Sequence, residues 1–173
     1  MTMDNVDNNI TPDTGNFIHY NSTGLPKYRC EHIKRQILSK QKPLLLLLNE
    51  TKLTKETHKN IESMLDLDNL GYSYKIKFNT KGHGDVAFIY RDNLNVHEIP
   101  IPDQYSSAQA IVCKVSGQNI HDYTIASYYN NPSTLLNIPF LRWFSKFENG
   151  ILMGDLNSKH KSLYCVTVSY THL

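Results

Sequence analysis

The sequence predicts an α/β protein whose sheets have a substantial antiparallel component, unlike a doubly wound parallel sheet. The first third alternates predicted strands with amphipathic helices, which is typical of strand–helix–strand units. The middle of the chain instead holds strands separated by short turn sequences, such as Ser116-Gly117-Gln118-Asn119, which favour antiparallel pairing. No repeat and no second domain are visible, and 173 residues are about the length of one domain.

Apolar periodicity defines the elements of the first half. They are a strand at 17–21, a helix at 27–41, a strand at 44–48, a helix at 54–67 and a strand at 72–78. The first helix has apolar positions at Tyr28, Ile33, Ile37 and Leu38, and Pro43 stops it. The five consecutive leucines of the second strand are too short for a membrane span and indicate a buried central strand.

The second half is predicted to contain four strands and one helix. The strands lie at 86–90, 108–115, 120–129 and 150–153, and the last of them is continuously apolar, as in a strand buried on both faces. The helix is expected to run from a cap at Ser133 to Phe147, with Leu136, Phe140 and Phe144 on one face. Gly154 lets the backbone turn directly after the last strand.

Composition excludes several classes of protein. A formal charge of +2 permits a polyanionic partner but does not require one. The three cysteines lack metal-ligand spacing, which indicates reduced thiols and an intracellular location, with Cys30 and Cys113 as small buried apolar residues. No apolar run reaches the roughly twenty residues of a membrane span, so no membrane partner is expected. Residues 1–15 are rich in Asn, Asp and Thr and are predicted to be a disordered leader outside the fold.

Polar residues at the ends of predicted strands mark the candidate site: Asn21, Glu50, Tyr129, Asp155 and Asn157. These oxygen-rich groups without a Cys or His cluster favour Mg²⁺ or Mn²⁺ over zinc. The spacing of Asp155 and Asn157 has two interpretations. In an extended strand end both side chains would face a common ligand, whereas in an Asx turn they would bond their own backbone.

Four motifs resemble, in order, those of the endonuclease/exonuclease/phosphatase superfamily, in the form found in the endonuclease domain of LINE-type (non-LTR) retrotransposons. They are Asn21 with Gly24-Leu25, Leu47-Leu48-Asn49-Glu50-Thr51-Lys52-Leu53, Ser127-Tyr128-Tyr129-Asn130-Asn131-Pro132, and Gly154-Asp155-Leu156-Asn157 with His160. The segment 84–92 also resembles that group, although Asp85 stands where a further glycine is common. The resemblance covers about Phe17 to Cys165.

The resemblance implies a metal-dependent phosphodiesterase that nicks DNA, built as a four-layer α/β/β/α sandwich of the deoxyribonuclease-I-like type. By matching of motifs, Glu50 would bind the metal with Asn21 beside it. Asp155 would orient or activate the attacking water, Asn157 would hold the scissile phosphate, and Tyr129 would contact that phosphate or the developing charge. His160 matches a histidine that follows the Gly-Asp-x-Asn motif in this subgroup, and is kept as a further site residue.

The same resemblance implies partners and a cellular setting. Cleavage in this family leaves a 3′-hydroxyl that primes a reverse transcriptase, so the parent protein is expected to carry that enzyme and to act on DNA in the nucleus. A phosphate-tracking rim is expected from basic residues in or beside the loops of the active face: Lys27, Arg29, Lys52, Lys55, Lys81, Arg91, Lys159 and Lys161. The alternatives are a repair nuclease or phosphatase of the same fold, or a non-catalytic nucleic-acid-binding module.

The end of the chain departs from the family pattern. The family's catalytic histidine lies in a later Ser-Asp-His motif that this sequence lacks, and 166–173 does not resemble the family's continuation. The expected division is a leader at 1–15, a truncated nuclease-like domain at 16–165 and a non-family tail at 166–173. Because missing strands would expose a sheet edge, we expect this chain to fold poorly and to have little or no activity.

Overall fold

The computed structural model describes residues 15–54, 56–78, 85–117 and 120–157. In this part of the chain there are eight strands: β1 Phe17–Asn21, β2 Leu45–Asn49, β3 Tyr72–Lys77, β4 Val86–Arg91, β5 Asn95–Glu98, β6 Gln109–Gly117, β7 Ile120–Tyr129 and β8 Gly150–Asp155. The α-helices are α1 Lys27–His32, α2 Ile61–Leu65, α3 Leu67–Leu70 and α4 Ile138–Phe144. All strands predicted in these ranges are present, and β5 is an addition because its exposed polar sequence gives no apolar signal.

The strands form two mixed four-stranded sheets. The first has the order β1-β2-β4-β3 and the second the order β5-β6-β7-β8. In each sheet one pair is parallel, β1 with β2 and β7 with β8, and a helix provides the crossover between the two strands of each pair. The remaining pairs are antiparallel, as the turn-rich middle of the sequence predicts.

Three apolar clusters give the molecule its layers. One lies between the first sheet and helices α1 to α3, and includes Ile33, Leu46 and Leu48. A second joins the facing sides of the two sheets, with Leu45 and Leu47 against β6 and β7. The third packs Phe140 and Phe144 of α4 onto β6 and β7. Alternate leucines of β2 therefore point into different layers, which explains the continuously apolar strand and confirms the four-layer sandwich.

Two predicted helices differ in detail. The helical segment from α1 continues as a π-helix, Ile33–Gln41, and its buried side is formed by Cys30, Ile33, Ile37 and Leu38. Tyr28, which the apolar pattern places on that side, is 67% exposed. The helix predicted at 54–67 begins with a 3₁₀ turn, His58–Asn60, and breaks at Asp66, whose φ of 59° is left-handed.

The third predicted helix starts later than expected. Ser133 does not cap it, because the backbone N–H of Ser133 donates to Asn131 Oδ1 in a preceding turn. The cap is Asn137, whose Oδ1 accepts from the N–H of Phe140 at 3.0 Å. Leu136 precedes α4 but packs with Phe140 and Phe144, so the predicted apolar face is retained.

β8 packs on both faces, as predicted, but it is buried less deeply than expected. Among the described strands β8 has a neighbour on one side only, β7, and its residues after the exposed Gly150 are half-buried. The edge position gives it backbone groups without a strand partner in the described part of the chain. Ile151 and Met153 still reach the cluster between the sheets, and Leu152 reaches the α4 side.

Cys30 and Cys113 are buried free thiols, as predicted. Burial raises the pKa of Cys113 to about 12, since the charged thiolate is disfavoured between the sheets. Cys165, His160 and the segments 1–14 and 158–173 lie outside the described residues, and the division of the chain at 15 and 165 stays a prediction. No helix in the described ranges has the length and apolar character needed to cross a membrane.

Candidate active site

Four of the predicted site residues lie at the carboxyl ends of parallel strands. Asn21 ends β1, Glu50 follows β2, Tyr129 ends β7 and Asp155 ends β8. Parallel register aligns these ends, because Asn21 is paired with Asn49 and Tyr129 with Asp155. Face-to-face packing of the sheets then brings the two pairs to one edge of the sandwich, where β1 contacts β8 and β2 contacts both β7 and β8.

The Asn21 side-chain amide connects the two sheets at this edge. Its Nδ2 donates to Glu50 Oε1 at 3.1 Å and to Asp155 Oδ2 at 2.9 Å. The separation of the two carboxylate oxygens is therefore limited to the sum of those distances. Two residues that are 105 positions apart in the chain thus present their carboxylates to one small volume.

Asx turns occur together with this convergence. The Asn21 Oδ1 accepts from the Thr23 N–H at 3.0 Å, and Asp155 Oδ1 accepts from the Asn157 N–H at 3.1 Å. Each side chain uses one atom to fix its own loop and the other to join the site. The two interpretations of the Asp155 and Asn157 spacing are therefore compatible, since Asp155 serves both purposes.

Asn157 does not share a strand face with Asp155, which is what an extended strand end would have given. The strand ends at Asp155, and Asn157 has a left-handed φ of 43°, so strand alternation does not extend to it. Its Nδ2 donates to the Asn130 carbonyl at 2.8 Å, and the Asn130 N–H donates to the Asp155 carbonyl at 2.8 Å. The amide retains a second N–H, so this arrangement leaves a donor for a phosphate oxygen.

Tyr129 is 6% exposed and lies near the Glu50 and Asp155 carboxylates. Burial raises the pKa of Tyr129, and the neighbouring Glu50 and Asp155 charges, with a hydrogen bond to Glu50, raise the pKa further. The phenol consequently stays protonated at ordinary pH, and its single O–H is engaged by the Glu50 carboxylate. It would contact a phosphate or a developing negative charge only when that bond is released, as when Glu50 holds a cation.

Asn49 is a structural residue of the site that the sequence reasoning missed. It is fully buried, its Nδ2 donates to the Tyr128 carbonyl at 2.7 Å, and its Oδ1 accepts from Ser127 Oγ at 3.4 Å. Its own carbonyl accepts from the N–H and the Oγ of Ser22, each at 2.9 Å. Asn49 therefore ties β2 both to β7 across the sheets and to the turn after β1. A polar residue that ends a run of leucines is the sequence signal for such a tie.

His19 was also missed as a neighbour of the site. It precedes Asn21 by two positions on β1 and lies against Asn49, with Asp155 close enough to stabilise the imidazolium. Burial lowers the pKa of His19 more than the Asn49 contact and the Asp155 charge raise it. Its Nε2 is buried without a hydrogen-bond partner. Its place under the site follows from the alternation of side chains along β1.

Backbone constraints explain two other residues of the motifs. A Cβ atom on Gly154 would lie 1.8 Å from the Tyr128 carbonyl oxygen, so a side chain at this position is incompatible with the close approach of β7 and β8. Arg29 donates to the carbonyls of Ser22 and Thr23. Its guanidinium is thus engaged in holding the turn after Asn21, and the predicted role of this residue in a phosphate rim is not needed to explain it.

The predicted basic rim is only partly placed at this edge. Lys52 is exposed in the loop after Glu50, and its side chain lies against Gly24. Arg91 ends β4, which runs antiparallel to β2, so it lies at the opposite end of the sheet and donates to the Lys42 carbonyl. Lys55, Lys81, Lys159 and Lys161 lie outside the described residues, as does His160.

The donor set at this edge fits a hard divalent cation. Glu50 and Asp155 supply carboxylate oxygens, and neither forms an ion pair with a basic side chain within the described ranges. No group of three or more His, Cys, Asp or Glu side chains in those ranges is arranged for metal binding. The chain would then provide one or two carboxylates and leave other coordination positions to water and phosphate oxygens, which is the usual pattern for Mg²⁺.

Comparison with solved structures identifies the fold. The sequence matches no family model and no curated protein. The chain is similar to a 3′–5′ exonuclease from Neisseria meningitidis, with a TM-score of 0.55 and 19% identity over 81% of this chain and 57% of that chain. It is also similar to a 3′ phosphatase from Neisseria bound to a product DNA hairpin, with a TM-score of 0.57 and 19% identity over 81% and 57%.

An AP endonuclease from Archaeoglobus fulgidus gives a TM-score of 0.57 and 18% identity over 81% of this chain and 56% of that chain. The chain thus spans a little more than half the length of these structures. At such identities the similarity concerns the fold alone. The chain has the deoxyribonuclease-I-like fold of exonuclease, AP endonuclease and phosphatase structures, as its sequence predicts.

Proposed function

We propose that this chain is part of a metal-dependent phosphodiesterase that cleaves a DNA strand. The observation that carries the proposal is the convergence of Glu50 and Asp155, from different sheets, on the Asn21 amide. Two carboxylates without a basic ion-pair partner in the described part of the chain repel each other, and a cation would relieve that repulsion. Among the structures of the same fold, one is described as bound to a product DNA hairpin, which supports DNA as the substrate.

The geometry suggests a role for each residue. Glu50 would hold a Mg²⁺ or Mn²⁺ ion, with Asn21 next to it, and the bound ion would neutralise charge on the phosphate oxygens. Asp155 would accept a proton from, or orient, the attacking water. The protonated Tyr129 and the second N–H of Asn157 would donate to the phosphate. Phosphoryl transfer requires this combination of water placement and charge neutralisation, and the motifs supply it on a rigid edge.

The finer assignment to a LINE-type retrotransposon endonuclease rests on the sequence motifs. In that assignment the enzyme nicks chromosomal target DNA in the nucleus and is joined to a reverse transcriptase in the parent protein. The stretches Asn49-Glu50-Thr51-Lys52-Leu53 and Asp155-Leu156-Asn157-Ser158-Lys159-His160 carry it. We also predict that this chain alone hydrolyses DNA slowly or not at all, because its sequence has no Ser-Asp-His motif.

A metal-binding measurement tests the proposal without depending on hydrolysis. We expect electron paramagnetic resonance to show one Mn²⁺ bound by the chain, and Glu50→Gln to weaken that binding by about tenfold or more, as loss of a charged ligand does. Glu148→Gln is the matched control, because Glu148 is exposed and precedes β8 at the opposite end of the sheet. Equal Mn²⁺ affinity in the wild type and in Glu50→Gln would favour the non-catalytic module instead.

A further inference from the structure

The large apolar side chains that the described residues expose are gathered at one edge of the sandwich. They are Tyr28, Leu135, Ile138 and Leu156. Tyr28 is in the first turn of α1, which follows β1, and Ile138 is in the first turn of α4, which follows β7. Leu135 lies between β7 and α4, and Leu156 follows β8. Exposed apolar residues are normally scattered singly over a surface, so their concentration where β1, β7 and β8 end indicates a contact made at the candidate active site.

Leu135 is the most exposed of these four side chains, at 95%. The next residue, Leu136, packs instead with Phe140 and Phe144 of α4. At 95% exposure the Leu135 side chain contributes almost nothing to packing, so the fold itself gives no reason for a leucine at this position. An apolar side chain that does not support the fold is free to contact a ligand.

The backbone on both sides of Leu135 is fixed. Before it, Asn130 Nδ2 donates to the Thr134 carbonyl at 3.3 Å, and the Thr134 N–H donates to the Asn131 carbonyl at 2.9 Å. After it, the side chain of Leu136 is anchored in the apolar cluster under α4. Leu135 is therefore held outward on a rigid loop, and little further conformational entropy is lost when it meets a ligand.

The surroundings of Leu135 favour a nucleic acid over a protein as that ligand. Leu135 and Tyr129 line one groove of about 670 Å³, so the leucine lies beside the place where a phosphate would bind. The described residues that line the groove include no Lys, Arg, Asp or Glu, which suits sugars and bases better than the phosphate backbone. A docked protein would cover about 800 Å², whereas Ser133 and Thr134, just before Leu135, are exposed and polar. The apolar contact is thus a point, not a patch.

We infer that Leu135 is a wedge that enters the base stack of duplex DNA beside the scissile phosphate. Apolar side chains that are inserted between base steps unstack them and kink the duplex. The inference rests on the proposed function, because it places the phosphate at the edge that holds Glu50 and Asp155. It narrows the substrate to double-stranded DNA that is deformed at the cut. Leu135 is then a positioning residue, which acts by turning the phosphodiester toward the carboxylates.

Unstacking is measured with a duplex in which 2-aminopurine alternates with thymine, so that every base step contains the fluorescent base. The fluorescence of 2-aminopurine is quenched in the stack and rises when a step opens. The full chain is added with Ca²⁺ at fixed salt, and the strands are checked afterwards for cuts. We expect the wild type to raise the fluorescence and Leu135→Ala to abolish the rise. Leu135→Ala should also bind the duplex about 3- to 10-fold more weakly, since unstacking offsets part of the gain from burying the leucine.

Two further variants control for side-chain chemistry and for position. Leu135→Met keeps a long apolar side chain and should keep the fluorescence rise. Asn95→Ala removes an exposed side chain at the end of β5 that lies away from the site, and should change neither fluorescence nor affinity. Because residues 95 and 135 are exposed, all three variants should unfold at about the same urea concentration as the wild type.

The outcomes separate this inference from the proposed function. A wild type that leaves the fluorescence unchanged, with or without duplex binding, overturns the wedge whether or not Mn²⁺ binds at Glu50. A rise that persists undiminished in Leu135→Ala overturns it too, because another residue then opens the step. A dimer that dissociates in Leu135→Ala, without any fluorescence rise in the wild type, would assign the leucine to an interface between copies instead. A Leu135-dependent rise without Mn²⁺ binding at Glu50 keeps the wedge but overturns the nuclease.

Discussion

Replacement of Asn49 by leucine should measure the contribution of the tie between the sheets. Leucine keeps the branched outline of asparagine and the same number of side-chain heavy atoms, whereas the two hydrogen bonds to β7 are lost. The Tyr128 carbonyl and the Ser127 hydroxyl, both buried, would lose a partner. A buried group left unsatisfied costs about 1–3 kcal/mol, and the 3.4 Å bond of Ser127 belongs at the low end. We therefore expect Asn49→Leu to lower the free energy of unfolding by about 2–4 kcal/mol.

Urea unfolding followed by tryptophan fluorescence measures this change. The single tryptophan, Trp143, packs against Phe140, Phe147 and Tyr105, so it reports the loss of the second sheet's helix layer. Asn95→Leu on the exposed β5 is the matched control and should stay within about 0.5 kcal/mol of the wild type. A loss below about 0.5 kcal/mol in Asn49→Leu, with an unchanged urea dependence, would refute the idea that this residue ties the sheets. Because Glu50 follows Asn49 directly, Mn²⁺ affinity should fall together with stability.

Two further changes probe the same edge. Gly154→Ala should lower the free energy of unfolding in urea by about 3 kcal/mol, because the new Cβ meets the Tyr128 carbonyl. The control is Gly71→Ala, where the space is open and the φ of 74° alone should cost about 1–2 kcal/mol. Equal losses in the two variants would contradict the steric explanation. The pKa of His19 is lowered in the folded chain, so the unfolded chain takes up the proton first and stability should fall as the pH drops below the ordinary histidine value of 6.5. His19→Gln should flatten that part of the profile of stability against pH, and an unaltered profile would exclude His19 as its source.

The site residues were predictable because of a general property of parallel strands. A polar residue after a run of apolar ones marks a strand end, and parallel neighbours place their carboxyl ends together. Glu50 after the leucines and Asp155 after Ile151-Leu152-Met153 are such residues. Their convergence on the Asn21 amide across the sandwich was not derivable from periodicity, since it depends on how the two sheets face each other, and only the family resemblance suggested it.

The parts that were mispredicted have local physical causes. Ser133 is a good cap in isolation, but Asn131 captures its N–H in a turn, and Pro139 in the first helical turn is the signal that favours Asn137 as the cap. The apolar sequence of β8 suggests deep burial, and its side chains do pack above and below the sheet, but β7 is its one strand neighbour within the described residues, and the side chains stay half-buried. In both cases the sequence pattern gives the preference of a segment taken alone, whereas the neighbouring residues in the fold determine the helix cap and the depth of burial.

Strained backbone angles are concentrated in the loops of the candidate active site, which favours a functional site over a set of ordinary turns. Six non-glycine residues of the described chain have a positive φ, and Lys42 and Asp66 are accounted for because they end helical segments. The other four, Thr23, Glu50, Lys52 and Asn157, lie in the loops that follow β1, β2 and β8. Each such angle costs about 1–2 kcal/mol, and surrounding bonds must hold it. The bond from the Glu50 N–H to the Asp85 carbonyl and the two Asx turns hold three of these angles, at Glu50, Thr23 and Asn157. The carboxylates are thus positioned by the chain itself, which is the preorganisation that a phosphoryl-transfer site requires.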